Sequence, residues 1–523
     1  MSGARPGSSR PGAAGLGALP AMLWAHADAA PQRPALHYLG RTFSYGKLWR
    51  RVERASAHLA ATWGIRPGDR VGTLCLNHEL QLVLLFACAR VGAMFVPLNY
   101  RLAAAELHAI AGHAQLALLF HDDAHATLAP EAGDRQCRLA HLERIIDHPA
   151  PLVASFPHVA GDAPLLLAYT SGTTGRPKGA VHTQAGLLAN ARASWWAHGM
   201  TQDDHVLSVL PTFHVGGLCI QTLPALLAGA QVTLHDRFAP DAWLASVAQS
   251  RPSLSLMVPA TLRAVLEHPG WGDADLSPLR GVMAGSSTIP RSYIDAFHAR
   301  GVPLGQVYGA TETGPVSAVL KLEHAMARPG YAGWPVPEVT VRLAGPGGAE
   351  VAQGEVGEVW VRGANVMAGY WNQPGGNQPG GNQPGDGLPG GWFHSGDLAH
   401  RDADGCIEVV GRSKDMIISG GENIYPAEIE NVLLGLPGVQ ECAVVGVADA
   451  RWGEVPVAVI VPAPGADRAP LAPASVRAAL AARIARFKLP REVVLLDDLP
   501  RSALGKVMKP QLRALLESQR RTG

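Results

Sequence analysis

Between Tyr169 and Gly179 the chain reads Tyr-Thr-Ser-Gly-Thr-Thr-Gly-Arg-Pro-Lys-Gly. Thr170, Ser171, Thr173 and Thr174 supply hydroxyls, Gly172, Gly175 and Gly179 lack side chains, and Lys178 brings a cation. Glycine lets backbone N–H groups come close to phosphate oxygens, while hydroxyls and a lysine add further donors, a set that suits a triphosphate. The GxxxxGK[ST] phosphate loop needs its lysine to open a helix. Here Pro177 precedes Lys178 and the apolar pair Ala180-Val181 follows, so this is a different loop. A shorter Gly/Ser/Thr string would read as a polar turn between two strands.

Two further groups could do chemistry. In Gln306-Val-Tyr-Gly-Ala-Thr-Glu-Thr-Gly314, Glu312 stands beside Thr311 and close to Tyr308. A carboxylate among hydroxyls, near an aromatic ring, can hold Mg²⁺ and a nucleotide, because the hard ion prefers oxygen and keeps several waters. Alone, the same string is a capped helix start with a solvated Glu. His394-Ser-Gly-Asp397 and Gly411-Arg412 bracket a second candidate. A carboxylate can accept both hydroxyls of a ribose, although each of these residues alone is commonly a surface ion pair. His121-Asp122-Asp123-Ala124-His125 is the nearest approach to a metal cluster and reads as a solvated loop.

The elements that must position these groups follow from the apolar pattern. From Arg33 to about Gly411 short apolar runs alternate with helical stripes. Val71–Leu76, Met94–Pro97, Ala117–Phe120, Leu165–Tyr169 and Val206–Leu210 read as buried strands, and Glu79–Gly92 as a helix. Such alternation predicts an α/β domain with largely parallel sheets. Gly405 marks a tight hairpin between Leu398–Arg401 and Cys406–Val410. Beyond Arg412 a small α+β unit is expected. It starts with a helix at Pro426, continues with strands Cys442–Val447 and Val455–Val461, and then has a helix Ser475–Phe487 whose one face carries Val476, Leu480, Ile484 and Phe487. Glu492–Leu496 reads as its last strand. Asn-Gln-Pro-Gly repeats with a period of five from Asn372, so 372–391 reads as a low-complexity surface loop.

Bulk properties bound the function. A chain of 523 residues exceeds one ordinary core, so at least two cooperative units are expected. With 17% charged residues and a net charge of +1, it has no basic run suited to nucleic acid. The apolar stretch Leu82–Leu98 is broken by Arg90, closes on a proline, and is too short to be an integral membrane segment. Residues 1–20, rich in Gly, Pro, Ser and Ala, read as a flexible tail rather than a signal peptide, from which a cytoplasmic location follows by default. None of the six cysteines forms a CxxC pair.

Taken together, these motifs make the chain similar to the adenylate-forming superfamily of acyl-CoA synthetases, peptide-synthetase adenylation domains and beetle luciferases, from about Ala21 to Leu516. The resemblance implies a large N-terminal α/β AMP-binding domain (21–411), a hinge (412–415) at Lys414, and a smaller mobile α+β cap (416–523). It assigns Thr170, Ser171, Gly172, Thr173, Thr174, Gly175 and Lys178 to the phosphates, and Gly285 and Ser286 of Met283-Ala-Gly-Ser-Ser287 to the adenine pocket. Tyr308 and Gly309 belong with the adenine, Thr311 with the α-phosphate, Glu312 with Mg²⁺, and Asp397 and Arg412 with the ribose. Pro500-Arg-Ser-Ala-Leu-Gly-Lys506 matches the segment carrying the family's catalytic lysine. Pro211-Thr-Phe-His214-Val-Gly-Gly217 resembles the motif lining the acyl pocket, with His214 facing the substrate carboxylate and the two glycines leaving room for an acyl chain. Amino-acid-activating relatives place an Asp where His214 stands, which argues against an amino-acid substrate.

The implied reaction joins a small-molecule carboxylic acid to ATP as an acyl-adenylate, then passes the acyl group to coenzyme A. Rotation of the cap would bring Gly420 and Gly421 against the pantetheine channel. Gly420–Glu428 and Lys414-Asp-Met-Ile-Ile look most like the fatty-acid branch, so a medium- to long-chain fatty acid is expected. The alternatives are an aryl or phenylpropanoid acid, or a carrier protein as acceptor. A catalytically silent nucleotide-binding protein and an unrelated P-loop ATPase are opposed by Lys506, Glu312 and Asp397, and by Pro177. The resemblance also points to a homodimer.

Overall fold

The computed structural model describes residues 17–130, 135–148, 156, 158–170, 178–372, 391–420, 422–449, 451–501 and 507–522. Those within Met1–Phe238 and Ala364–Gly387 form one compact unit, and those within Ala239–Gly363 and Leu388–Gly523 a second.

The first unit holds a seven-stranded sheet in the order Gly369–Tyr370, Lys178–Thr183, Pro164–Thr170, Met94–Pro97, Arg70–Leu74, Leu118–His121, Gln136–Arg138. From Pro164–Thr170 to Gln136–Arg138 neighbouring strands run parallel. Helical crossovers such as Glu79–Val91 bring the chain back to the same end of the sheet. That helix starts at 79 because His78 Nδ1 accepts the Leu80 N–H at 3.1 Å while Gln81 Oε1 accepts the His78 N–H. It stops at Gly92, whose φ of +81° an L side chain resists. The other edge departs from the parallel expectation: Pro164–Thr170 and Lys178–Thr183 form an antiparallel hairpin. A separate set of strands, Arg41–Ser44, Pro34–Tyr38, Gln231–Leu234 and His205–Ser208, is parallel except at its first pair.

Helix Ala18–Ala29 takes in the last three residues of the stretch read as a tail, because Pro20 is tolerated in a first turn and Leu19 and Leu23 are buried. In the His121–His125 loop Asp122 is structural. Its carboxylate accepts the Leu76 and His125 N–H groups and meets His125 Nδ1 at 2.6 Å.

In the second unit, Leu254–Met257, Gly281–Gly285 and Leu304–Tyr308 run parallel, followed by antiparallel Ala318–Leu320 and Trp334–Pro335. Val339–Ala344, Gly357–Gly363, Phe393–Arg401 and Ile407–Arg412 make a wholly antiparallel sheet. The expected hairpin turns at Gly405, with φ +75°.

Residues 417–522 contain two cores on opposite faces of one sheet. Val444, Ala458 and Ile460 pack with Ile429, Leu433, Val476 and Leu480, and Ala443, Val445, Val457 and Val459 pack with Leu512 and Leu516. The two-residue period of Val439–Asp449 and Gly453–Pro462 sends alternate side chains to the two helical layers, so both strands are apolar throughout their middles. The second expected helix is shorter, Pro473–Ala481, and Phe487 lies in a separate 3₁₀ turn, 46% exposed rather than on the buried face. Helix Lys509–Thr522, which covers the second face, adds to the expected elements.

Candidate active site

In the first unit, Thr170 and Lys178 are cross-strand partners at the loop end of the hairpin, and the Thr170 hydroxyl approaches the Lys178 carbonyl at 3.5 Å. Ser171, Gly172, Thr173, Thr174 and Gly175 lie outside the described residues. The Lys178 ammonium stands 5.1 Å from the centroid of Tyr370, on the edge strand. A Cβ at Gly179 would come 2.7 Å from Leu167 Cδ1, so the leucine side chain would have to shift.

His214 caps the short helix Val215–Gly217, its Nδ1 accepting the Gly216 N–H at 3.0 Å. A neutral ring used in this way carries its proton on Nε2, so His214 offers a donor on that side. Gly217 has a structural reason in addition to any room it leaves for substrate. A Cβ there would meet the Pro211 carbonyl oxygen at 2.2 Å. The helix then widens into a π turn over Leu218–Thr222, a departure that recurs at functional sites.

In the second unit three of the expected residues meet. The Tyr308 hydroxyl donates to Asp397 Oδ2 at 2.9 Å and to Ser395 Oγ at 3.3 Å, and Arg412 Nε pairs with Asp397 Oδ1 at 2.8 Å. Asp397 and Arg412 face each other across the hairpin Phe393–Arg401/Ile407–Arg412. The carboxylate is placed by its own backbone: Asp397 N–H donates to Ser395 Oγ, Gly396 N–H donates to Glu358 Oε1, and Gly396 has φ +71°. Burial and the neighbouring Asp397 push the Tyr308 phenol well above its usual range, which keeps it a donor. Ser395 and Glu358 were not expected at the site. Ser395 lies inside the His394–Asp397 string that pointed there, whereas nothing local marks Glu358.

Tyr308 ends its strand, and Gly309 admits the next turn, since a Cβ would come 1.8 Å from the Pro315 carbonyl oxygen. In the 3₁₀ turn Thr311–Thr313, the Thr313 hydroxyl accepts the Ala310 N–H and meets Ser317 Oγ at 2.8 Å. Thr313 is buried, while Thr311 and Glu312 are half-exposed. Gly285 is the register partner of Val307, and Ser286 after it is exposed with φ +77°, an uncommon conformation for a residue with a side chain.

Lys414 is exposed in the 3₁₀ turn Ser413–Asp415. Gly420 has φ +61°, and its missing Cβ leaves space for the Trp452 ring, 2.7 Å from the place a Cβ would take. Gly421 and Lys506 lie outside the described residues. The residues flanking Lys506 are tied down: Arg501 bridges Val507, and Met508 N–H donates to the Pro500 carbonyl at 2.7 Å. The other lysine of that segment, Lys509, is committed to Glu430 at 2.7 Å.

The donor sets fit the groups the resemblance implies. Asp397 with Arg412 and Tyr308 offers an acceptor and a ring to a nucleoside, and the Glu312 carboxylate beside Thr311 is an oxygen-only set of the kind Mg²⁺ takes. An α/β scaffold that gathers such groups at strand ends suits a nucleotide-binding enzyme.

Comparison with known proteins agrees. The AMP-binding enzyme model matches residues 23–371 and the AMP-binding enzyme C-terminal domain model matches residues 428–506, and the chain belongs to this family. It is 43% identical over 503 residues to the indoleacetate–CoA ligase of Aromatoleum aromaticum, covering 94% of this chain and 96% of that one. It is 42% identical over 502 residues to a feruloyl-CoA synthase of Amycolatopsis, covering 95% and 98%. Among solved structures, the o-succinylbenzoate coenzyme A synthetase of Bacillus subtilis with ATP and magnesium superimposes with a TM-score of 0.81 at 30% identity, covering 94% of this chain and 98% of that one. The protein is an AMP-forming acid–thiol ligase using ATP, Mg²⁺ and coenzyme A. No helix among the described residues is long and apolar enough to cross a membrane.

Proposed function

We propose that the acid this ligase activates is an aryl or arylalkyl carboxylic acid, and that coenzyme A is the acceptor. The observation that carries this reading is the gap in similarity. Relatives named for indoleacetate and ferulate share 43% and 42% of positions, against 35% for one named for joining a fatty acid to acyl-carrier protein and 32% for those named for long-chain fatty acids. The fatty-acid expectation rested on Lys414–Ile418 and Gly420–Glu428. Ile417 and Ile424 are buried in the core of residues 417–480, so likeness there reports on packing rather than on the acid.

Adenylation brings two anions together, and the enzyme must supply positive charge in a fixed geometry. In this reading Lys506 bridges the carboxylate and the α-phosphate. Thr311 contacts that phosphate, and the Thr170–Lys178 loop retains the pyrophosphate. His214 donates from Nε2 to the substrate carboxylate. Tyr308, with Gly285, Ser286 and Gly309, holds adenine, while Asp397 and Arg412 hold ribose. Glu312 holds Mg²⁺, which screens phosphate charge when bound. The cap, 416–523, then turns about the hinge at Lys414 and brings Gly420 and Gly421 to the pantetheine arm. A homodimer in the cytoplasm belongs to the same reading.

A panel of arylacetic, hydroxycinnamic and fatty acids with coenzyme A, scored by AMP release, tests it. The aryl acids should lead by about tenfold or more in kcat/KM, the scale that pocket contacts ordinarily reach. A lead of that size for decanoate or palmitate would overturn the substrate assignment. Absence of AMP with every acid would overturn the reaction.

A further inference from the structure

The helix that opens at Val215 does not stay regular. The Leu223 N–H reaches back five residues to the Leu218 carbonyl, which makes Leu218–Thr222 a π turn. Neighbouring side chains hold the turn open. From helix Gln184–His198, Asn190 Nδ2 donates to the Cys219 carbonyl at 2.7 Å and Ser194 Oγ donates to the Ile220 carbonyl. The Thr222 hydroxyl donates to the Gly217 carbonyl at 2.6 Å and meets Ser208 Oγ at 2.7 Å.

Gln221 stands outside this set of pairs. It is 2% exposed, and neither its Oε1 nor its Nε2 finds a partner among the described residues. Burying an amide in this way costs the desolvation of a donor and an acceptor, so a native fold that keeps one needs a reason. Its position offers one. In a π turn residues four and five apart lie one above the other, and helical side chains lean toward the N-terminus, so Gln221 overlies Gly217 and Gly216. Neither glycine has a Cβ, and the one that Gly216 lacks would stand 3.0 Å from His214 Nδ1. A buried, unpaired amide thus lies one turn beyond the histidine.

We propose that Gln221 determines specificity within the acid pocket, its amide binding a hydroxyl on the ring of the aryl acid. The inference deepens the aryl-acid reading and rests on it and on the role given there to His214. A helical turn rises about 5 Å, comparable to the span of a benzene ring, so a ring whose carboxylate is held at His214 brings a far substituent to the amide. A hydroxyl is the smallest group that can donate to Oε1 and accept from Nε2 at once.

The test compares the ortho, meta and para isomers of hydroxyphenylacetate with the matching methylphenylacetates, which have the same size and no hydrogen bond to offer. Carboxylate-dependent pyrophosphate–ATP exchange is the readout. For at least one isomer the wild type should favour hydroxyl over methyl by roughly ten- to hundredfold in kcat/KM, the effect of leaving a buried polar group unpaired. Gln221→Leu should reverse that order and leave the KM for ATP unchanged. Without substrate it should melt no lower than the wild type, because it removes an amide that nothing in the protein satisfies. Gln221→Met, unbranched like glutamine, repeats the comparison with less crowding. A wild type indifferent to the hydroxyl, or variants that melt lower and keep the wild-type order, would overturn the proposal, since the glutamine would then serve the fold. A wild type that prefers fatty acids to every aryl acid would instead overturn the substrate reading beneath it.

Discussion

Asp397 and Glu441 are both carboxylates that hold two partners, and their settings differ. Asp397 is 8% exposed and is fixed by Arg412 across one hairpin, by Tyr308 at the end of a strand of another sheet, and by its own turn. Glu441 is more open and joins a helix at Arg263 to a loop at Arg501. The first arrangement is rigid before any ligand arrives, so it should contribute to binding. The second links segments that the proposed cycle separates, so it should contribute to turnover.

The hardest test of that division is Lys506→Ala. Removing one donor to developing charge in a water-poor site typically costs about 10²–10³ in rate, and exchange should fall by at least that much with the KM for ATP little changed. Acyl transfer from supplied acyl-AMP should survive. Equal loss in both half-reactions would erase the contrast, since the lysine would then serve the fold or both steps alike.

Asp397→Asn comes next and should act on the other side of the contrast. The variant keeps its size, loses the charge that pairs with Arg412, and offers one acceptor oxygen where there were two. Hydrogen bonds to charged groups contribute about 1.5–3 kcal/mol each, so the KM for ATP should rise by roughly ten- to a hundredfold, with a smaller change in kcat. Steady-state kinetics at saturating acid separates the two. A fall in kcat alone would mean that Asp397 shapes the transition state and that the division by rigidity is wrong.

Much of this architecture is legible in the residue pattern, and the failures share a cause. Met94–Pro97 matches its expected strand, and the hairpin turns at Gly405 as anticipated, because apolar runs and turn residues are local signals. Strand direction is not local. The hairpin at Lys178 and the sheet from Val339 to Arg412 are antiparallel, which an apolar run does not reveal. Gly217 and Gly420 were read as space for ligands. Each also fills a packing need set by a residue elsewhere, the Pro211 carbonyl in one case and the Trp452 ring in the other. The Tyr308–Asp397 hydrogen bond spans 89 positions and the Glu441–Arg263 pair 178. Motif reading located the ends of the first and neither end of the second, because Arg263 and Glu441 look like ordinary surface charges in sequence.

Tyr308→Phe is the finest cut. It retains the ring proposed to stack on adenine and deletes the hydroxyl that donates to Asp397 and Ser395. Arg412 stays on the other carboxylate oxygen, so Asp397 keeps its charge and most of its orientation. Because Arg412 and the turn still hold Asp397, nucleotide binding loses only part of the about 1.5–3 kcal/mol of a hydrogen bond to a charged group, which predicts a rise of roughly fivefold in the KM for ATP and no change in kcat. Combined with Asp397→Asn, the phenylalanine should add less than it does alone, because the two groups share one hydrogen bond. Full additivity would show that the hydroxyl acts independently of Asp397, and that the rigidity of Asp397 comes from its strand and turn rather than from the contact between them.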